Sequence, residues 1–267
     1  MNGFLELLSY PFVIRAVTAG TLISVCASVL GVILVLKHYS LIGHGLSEIG
    51  FASLSAASAL GLPAMAITTP AVITASFIIM YVSQRYRTAG DIAIAIASSA
   101  ALSLGVIVSS VSGQTSNMSS YLFGSILAMS DSDLLLSVML SAAVMAVFIL
   151  FYNRLFLITY NEDYARSLGI NTALYQAVIS VLTALVVVMG MRFMGTLLIS
   201  SVIILPAVTA RQIASGFRLL VVLSGIISLI AFILGLMVSF MLNLPAGASV
   251  VMVNAVILII VKVLFRK

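Results

Sequence analysis

Residues 43–61 read GHGLSEIGFASLSAASALG, and the placement of this stretch decides the fold. His44 and Glu48 stand four residues apart, a spacing that puts both side chains on one face of an α-helix. Phe51, Ser55 and Ser58 continue that face. The abundance of Ser, Ala and Gly suits a helix packed closely among others or lining a wet pathway. The stretch is short for a full membrane crossing, which takes about 20 residues. If it crosses, the chain has about nine spans; if it turns back, about eight, and the N-terminus changes side.

The rest of the chain is oily. Of its 267 residues, 63% are hydrophobic and 7% charged, whereas a soluble domain carries about 25% charged residues. Long apolar runs joined by short loops make an all-α polytopic membrane protein. A transmembrane barrel would instead show alternating segments of about ten residues. The net charge of +5 rests on too few residues to form a nucleic-acid surface, so no nucleic-acid partner is expected and the charge reads as topology. Cys26 is the only cysteine, so the chain can form neither an internal disulfide nor a zinc-finger-type site. The opening MNGFLELLSYPFVIRAV lacks a basic region before its apolar run and reads as a short pre-helix plus a retained first span. No GxxxxGK[ST] loop is present. The chain therefore reads as a transport component rather than an enzyme, with any ATP hydrolysis performed by another chain.

The apolar segments fall at about 12–36, 44–61, 64–84, 91–111, 132–152, 172–191, 195–212, 219–241 and 246–264. The second and seventh are short, and discontinuous or re-entrant helices often line transport paths. With the N-terminus outside and the C-terminus inside, Lys37, Arg85, Arg87, Arg154, Arg166, Arg211, Arg218, Lys262, Arg266 and Lys267 face the cytoplasm. Only Arg15 and Arg192 of the 12 basic residues then face outward, a strong positive-inside bias that favours an odd number of spans. Residues 1–267 read as a single transmembrane domain.

Between the spans, the uncharged loop 112–120 (SGQTSNMSS) lies outside, followed by YLFGSILAMS, too short to span and read as an outer helix or re-entrant turn. The longest polar stretch, at about 153–171, is cytoplasmic by the charge rule. Within it NEDYARSLG reads as a short helix, with Asn161 as N-cap, Glu162 and Asp163 in the first turn and Gly169 at the end. On its residues alone it is either an ordinary connection or the place where a partner delivers force. Asp91, Asp131 and Asp133 open spans and read as N-caps, with attraction of cations at the outer mouth a second reading for the last two. Pro206 is expected to kink or break the seventh span.

A carboxylate inside a span costs about 2.5 kcal/mol or more on insertion scales, so Glu48 faces a cavity or a partner. Imidazole with carboxylate suits Zn²⁺, Mn²⁺ or Fe²⁺, and a transport site needs few ligands because the ion must leave again. The residues alone allow the other reading equally: an interfacial His44, with Glu48 paired to it or to Lys37. The 13 Met residues are scattered as core gap-fillers rather than clustered as a soft-metal relay, which argues against copper. His38, at the membrane edge, reads as a surface histidine.

Six stretches, in order, resemble the permease subunits of bacterial ABC importers for zinc, manganese and iron. They are LIGHGLSEIG, GDIAIAIASSAALSLG, YLFGSIL, NEDYARSLGI, GTLLISSVIILPAVTARQ and NLPAGASVVM, of which the fifth is the most specific. The family's metal segment usually places an Asp first and a His four residues later; here His44 stands at the Asp position and Glu48 at the His position. The order is reversed, while one carboxylate and one imidazole on one face are kept. In the coupling segment Asn161 replaces the usual Asp and Asp163 the usual Glu, while Ala165 and Gly169 match.

The resemblance implies a fold similar to the vitamin B12-type ABC importer permease and a homodimer in the bacterial plasma membrane. It implies two cytoplasmic ATPase subunits that use ATP, an extracytoplasmic metal-binding protein, and no permanently bound cofactor. His44 and Glu48 would hold the transported divalent ion transiently. Asn161, Glu162, Asp163, Ala165, Arg166 and Gly169 would receive the ATPase motion. Two alternatives stand beside it. One is an ion-coupled secondary transporter with Glu48 as the protonatable site, whose mark would be inverted internal repeats; no convincing repeat is visible. The other is a permease of the same family with a different substrate, which the swapped ligand order leaves open.

Overall fold

In a hydrocarbon medium every backbone N–H and C=O must be paired within the protein, and a chain of long apolar runs meets that demand by forming helices. The computed structural model describes residues 11–85, 90–113, 121–124 and 131–265. Among them the elements are all helical: α1 (Pro11–Leu36), α2 (Ile42–Ala59), α3 (Ala64–Arg85), α4 (Gly90–Val111), α5 (Asp131–Leu150), α6 (Tyr152–Tyr160), α7 (Glu162–Ser167), α8 (Thr172–Met194), α9 (Thr196–Ile213), α10 (Phe217–Leu242) and α11 (Ala246–Leu264). The pre-helix at 1–10, most of the outer loop, the YLFGSIL motif beyond Gly124, and the side chains of Asp91 and Asp133 lie outside the described residues.

Seven of these helices are long and apolar enough to cross a membrane, and an eighth span appears when α5 and α6, bent by 69° at Phe151, are taken together. The all-α polytopic reading holds, and the count sits at the lower end of the eight to nine spans expected. Helix α2, the stretch that carries Glu48, is long enough but not apolar enough to be counted among them. It nevertheless runs the depth of the bundle. Gly45 lies against Ile94 near the start of α4, and at the far end Ser109 Oγ on α4 donates to Ser55 Oγ on α2 at 3.3 Å. Because α2 is enclosed by α3, α4, α8 and α9, it needs little lipid-facing apolar surface. Nor does Pro206 break its helix: α9 continues through it from Thr196 to Ile213.

Helices α1 and α8 form the centre, with 78% and 72% of their membrane windows buried, against 22% for the peripheral α11. Lipid tails are as apolar as a leucine side chain, so helices associate here through close approach and hydrogen bonds rather than by escaping water. Both devices are visible. Gly31 on α1 lies so near the Ile203 carbonyl of α9 that a Cβ there would overlap it, and Gly235 on α10 lies against the Val250 backbone of α11. Serines bridge helices: Ser76 Oγ donates to the Ser180 carbonyl at 2.9 Å, joining α3 to α8, and Ser224 Oγ donates to the Ser28 carbonyl at 3.1 Å, joining α10 to α1.

The break between α8 and α9 falls at Gly195, whose φ of 90° is open only to glycine in practice. Gly124 (φ 77°) packs backbone to backbone against it, leaving no room for a Cβ on either residue. The described part of the outer motif thus seats on the α8–α9 break.

Candidate functional site

Helix α2 begins after a tight turn from α1. The turn is closed by Tyr39 N donating to the Leu34 carbonyl at 2.7 Å and His38 N to the Val35 carbonyl at 3.3 Å, with His38 in the left-handed region (φ 59°). That pattern is a Schellman-type helix end, continued into α2 by Ile42 N donating to the Tyr39 carbonyl at 3.1 Å. His38 itself is exposed.

Within the first turn of α2, His44 Nε2 lies 3.3 Å from Glu48 Oε1 in the next turn. The imidazole side chain is 42% exposed and the carboxylate 7%. Glu48 Oε2 is buried with no hydrogen-bond partner among the described residues. Two glycines let neighbouring helices close in around the pair: Gly43 sits against Ser200 and Ile203 of α9, and Gly45 against Ile94 and Ser98 of α4. Further along the same face, Phe51 packs on Gly105 and Ser55 bonds Ser109, so the face that carries the pair is turned towards α4. Among the described residues no group of three His, Cys, Asp or Glu side chains stands together, here or elsewhere. The chemistry available is therefore a two-donor arrangement, one nitrogen and one carboxylate, with a free oxygen to offer. Of the two partners considered for Glu48 from the sequence, the structure gives it His44; Lys37 is engaged elsewhere.

That engagement defines a second cluster, at the end of the bundle where α1 meets the polar 153–171 stretch. The stretch forms α6 and α7. Asn161 caps α7, its Oδ1 accepting from Tyr164 N at 3.0 Å, with Glu162 and Asp163 in the first turn where the helix end favours acids. Ala165 is fully buried and anchors the helix to the core. Gly169, at φ 76°, lets the chain reverse into α8. Asp163 is exposed, and so are Tyr160, Tyr164 and Leu168, which give this end an apolar surface beside its charges. Arg166 Nη2 pairs with Glu162 Oε1 at 2.7 Å, and its Nε donates to Thr172 Oγ1 at 3.1 Å. Glu162 Oε2 meets Lys37 Nζ at 3.4 Å. Burial pushes the Lys37 ammonium below its ordinary pKa, and the facing Glu162 carboxylate opposes that shift only in part.

The sequence offered no sign of the Lys37–Glu162 contact beyond the charge rule that puts both on one side of the membrane, since 125 residues separate them. It also missed α6, a nine-residue helix whose Arg154 Nη1 donates to Tyr175 Oη at 2.9 Å. At the opposite end of α1, Arg15 Nε pairs with Asp131 Oδ1 at 2.7 Å.

Comparison with known proteins agrees with this architecture. The profile of the ABC 3 transport family matches residues 9–265. The chain is 30% identical over 251 residues to the manganese import system permease protein ScaB of Streptococcus gordonii, covering 94% of this chain and 90% of that one. It is 27% identical over 258 residues to the manganese transport system membrane protein MntC of Listeria monocytogenes, covering 96% and 92%. The solved structure of PsaBC from Streptococcus pneumoniae in complex with Fab superposes with a TM-score of 0.88 at 28% identity, over 98% of this chain and 95% of that one. As the resemblance of its six motifs implied, this chain belongs to the ABC 3 transport family.

Proposed function

We propose that the chain is the membrane permease of an ATP-driven importer that carries a divalent transition-metal ion, manganese before zinc or iron, into the cytoplasm by alternating access. The observation that carries this reading is the His44–Glu48 pair, one imidazole and one carboxylate oxygen 3.3 Å apart in an enclosed helix. It sits in a chain whose S. gordonii relative is named a manganese import permease. The donor set suits Mn²⁺, which accepts carboxylate and imidazole, better than it suits a thiol-seeking ion. Glu48 Oε2, buried and unpartnered, is the acceptor a cation would satisfy. With two donors from the chain, binding stays weak enough for release.

In this reading residues 1–267 form one permease domain and work as a homodimer. Two cytoplasmic ATPase subunits dock at 153–171, contacting the exposed parts of α7 and its flanks, Asn161, Glu162, Asp163, Arg166 and Gly169, while Ala165 holds the helix in place. An extracytoplasmic metal-binding protein delivers the ion to the outer mouth. The N-terminus lies outside and the C-terminus in the cytoplasm of the bacterial plasma membrane. The pairing of Lys37 with Glu162 at one end and of Arg15 with Asp131 at the other supports the grouping of these residues by side, and the excess of Lys and Arg at the Lys37 end supports its assignment to the cytoplasm. ATP binding favours one permease conformation, and the differential affinity for that state drives the cycle.

The test is uptake of radiolabelled Mn²⁺ and Zn²⁺ into proteoliposomes that hold the permease, its ATPase and the binding protein. ATP-dependent accumulation of Mn²⁺ is expected. Accumulation of neither ion, or accumulation indifferent to ATP, would overturn the reading.

A further inference from the structure

Lys37 is the one lysine on the inward end of the central helix, and its position is unusual. Its side chain is 7% exposed although it stands just past the end of α1, at the polar rim of the bundle. Its Nζ reaches Glu162 on α7 at 3.4 Å and stands 5.9 Å from the centroid of the Tyr39 ring. Glu162 in turn holds Arg166 at 2.7 Å, so Lys37 and Arg166 converge on one carboxylate. On the other side Lys37 opens the turn into α2. The turn is stiff: its backbone is bonded at Tyr39 to Leu34, at His38 to Val35 and at Ile42 to Tyr39. His44 follows two residues after the start of α2. A continuous path of one ion pair and one hydrogen-bonded turn thus joins α7 to the His44–Glu48 pair.

We propose that Lys37 is a positioning residue that ties α7 to the α1–α2 turn, so that displacement of α7 moves His44 and Glu48 and alters their hold on the ion. The inference rests on the functional reading above. The pair is poorly explained by stability alone, since burial, together with the nearby Arg166, disfavours the charged lysine more than Glu162 favours it, and replacing both members of a buried ion pair by apolar groups is often neutral or stabilising. What an ion pair supplies and an apolar contact does not is a directional link that survives sliding of one element over another. Helix α7 is also joined to α8 through Thr172, but that route leads to the far end of a rigid central helix rather than to the α1–α2 turn.

The experiment measures metal uptake and ATP hydrolysis in the same proteoliposomes, with the full complex, alongside thermal melting of each variant. The variants are Lys37→Met, Lys37→Glu, Glu162→Lys and the double reversal Lys37→Glu/Glu162→Lys. Lys37→Met leaves Glu162 partly exposed and still paired with Arg166, so this variant is expected to melt near the wild-type temperature and to hydrolyse ATP normally. The metal moved per ATP should fall about fivefold or more, the lower edge of a typical coupling between sites. The double reversal should move more metal per ATP than either single reversal. Unchanged metal per ATP in Lys37→Met overturns the inference. So does a fall that tracks a lowered melting temperature, or a double reversal no better than its parents. A wild-type complex that moves no metal with ATP refutes the functional reading itself, an outcome separable from the others because it needs no variant.

Discussion

Glu48 presents one carboxylate oxygen to His44 Nε2 at 3.3 Å and keeps the other buried and without a hydrogen-bond partner among the described residues. The two side chains are therefore not equivalent. Glu48→Gln keeps the shape and removes the charge, whereas His44→Ala strips a buried carboxylate of its neighbour. A charged hydrogen-bonding contact contributes about 1.5–3 kcal/mol, so Glu48→Gln is expected to weaken Mn²⁺ binding about 10–150-fold with little change in melting temperature. His44→Ala should weaken binding and also lower the melting temperature. Titration calorimetry and thermal melting of the purified permease check both. Wild-type Mn²⁺ affinity in Glu48→Gln would remove this pair from the transport site.

The contrast between local and distant pairs explains how much could be read in advance. His44 and Glu48 were legible because a helix brings residues four apart onto one face whatever surrounds it. The spans were legible because long apolar runs in lipid have few options but the helix. The α7 cap was legible because Asn161 acts on Tyr164, three residues away. The contacts Lys37–Glu162, Arg15–Asp131 and Ser24–Ser228 were not, because residue identity does not say which helices meet. Nor was α6, since at nine residues Tyr152–Tyr160 is shorter than the window of about 11–18 residues in which a helical period is read. The helix at residues 43–61 was legible but not its surroundings: α2 is less apolar than the spans around it because what encloses it is mostly protein.

Asn161 sets the stability of α7. Its side-chain oxygen takes the Tyr164 amide, one of the four unpaired donors at a helix start. Asn161→Ala should cost about 1 kcal/mol locally, which corresponds to about fivefold faster amide exchange across α7. Asn161→Asp offers the same oxygen plus a charge that the helix end favours, and should exchange no faster than the native chain. Hydrogen exchange read by mass spectrometry on the whole permease decides between them. An aspartate as fast as the alanine would mean that something other than the cap holds α7.

Gly31 and Gly225 occupy comparable helical settings but opposite packing. At Gly31 a Cβ would overlap the Ile203 carbonyl, a backbone atom that cannot swing aside; at Gly225 the nearest atom is Val25 Cγ1 at 3.8 Å, an ordinary contact. Overpacking costs about 1–3 kcal/mol, so Gly31→Ala should lower the melting temperature in detergent. Gly225→Ala should leave it unchanged or raise it, because alanine is the better helix former by about 0.5–1 kcal/mol. Equal effects at the two sites would show that α1 and α9 can separate at small cost.

Ser24 and Ser228 test whether hydrogen bonds hold α10 against the central α1. Their hydroxyl oxygens lie 2.7 Å apart, and Ser228 Oγ is also placed to donate to the Ser24 carbonyl at 2.8 Å. Both residues are fully buried, so neither hydroxyl has water to turn to. Interhelical bonds of this kind in membranes contribute about 0.6 kcal/mol on average and up to about 1.7 kcal/mol, since the separated helices also find partners. Ser228→Ala removes both interactions, whereas Ser24→Ala leaves the carbonyl contact in place. Ser228→Ala should therefore be the more destabilising, and adding Ser24→Ala to it should cost less than Ser24→Ala costs in the native chain. A double-mutant cycle read by thermal melting isolates that difference. If the two effects add, the hydroxyl–hydroxyl contact contributes nothing, and α1 and α10 are held by the carbonyl bonds from Ser224 and Ser228 and by packing such as that of Gly20 against the Phe232 ring.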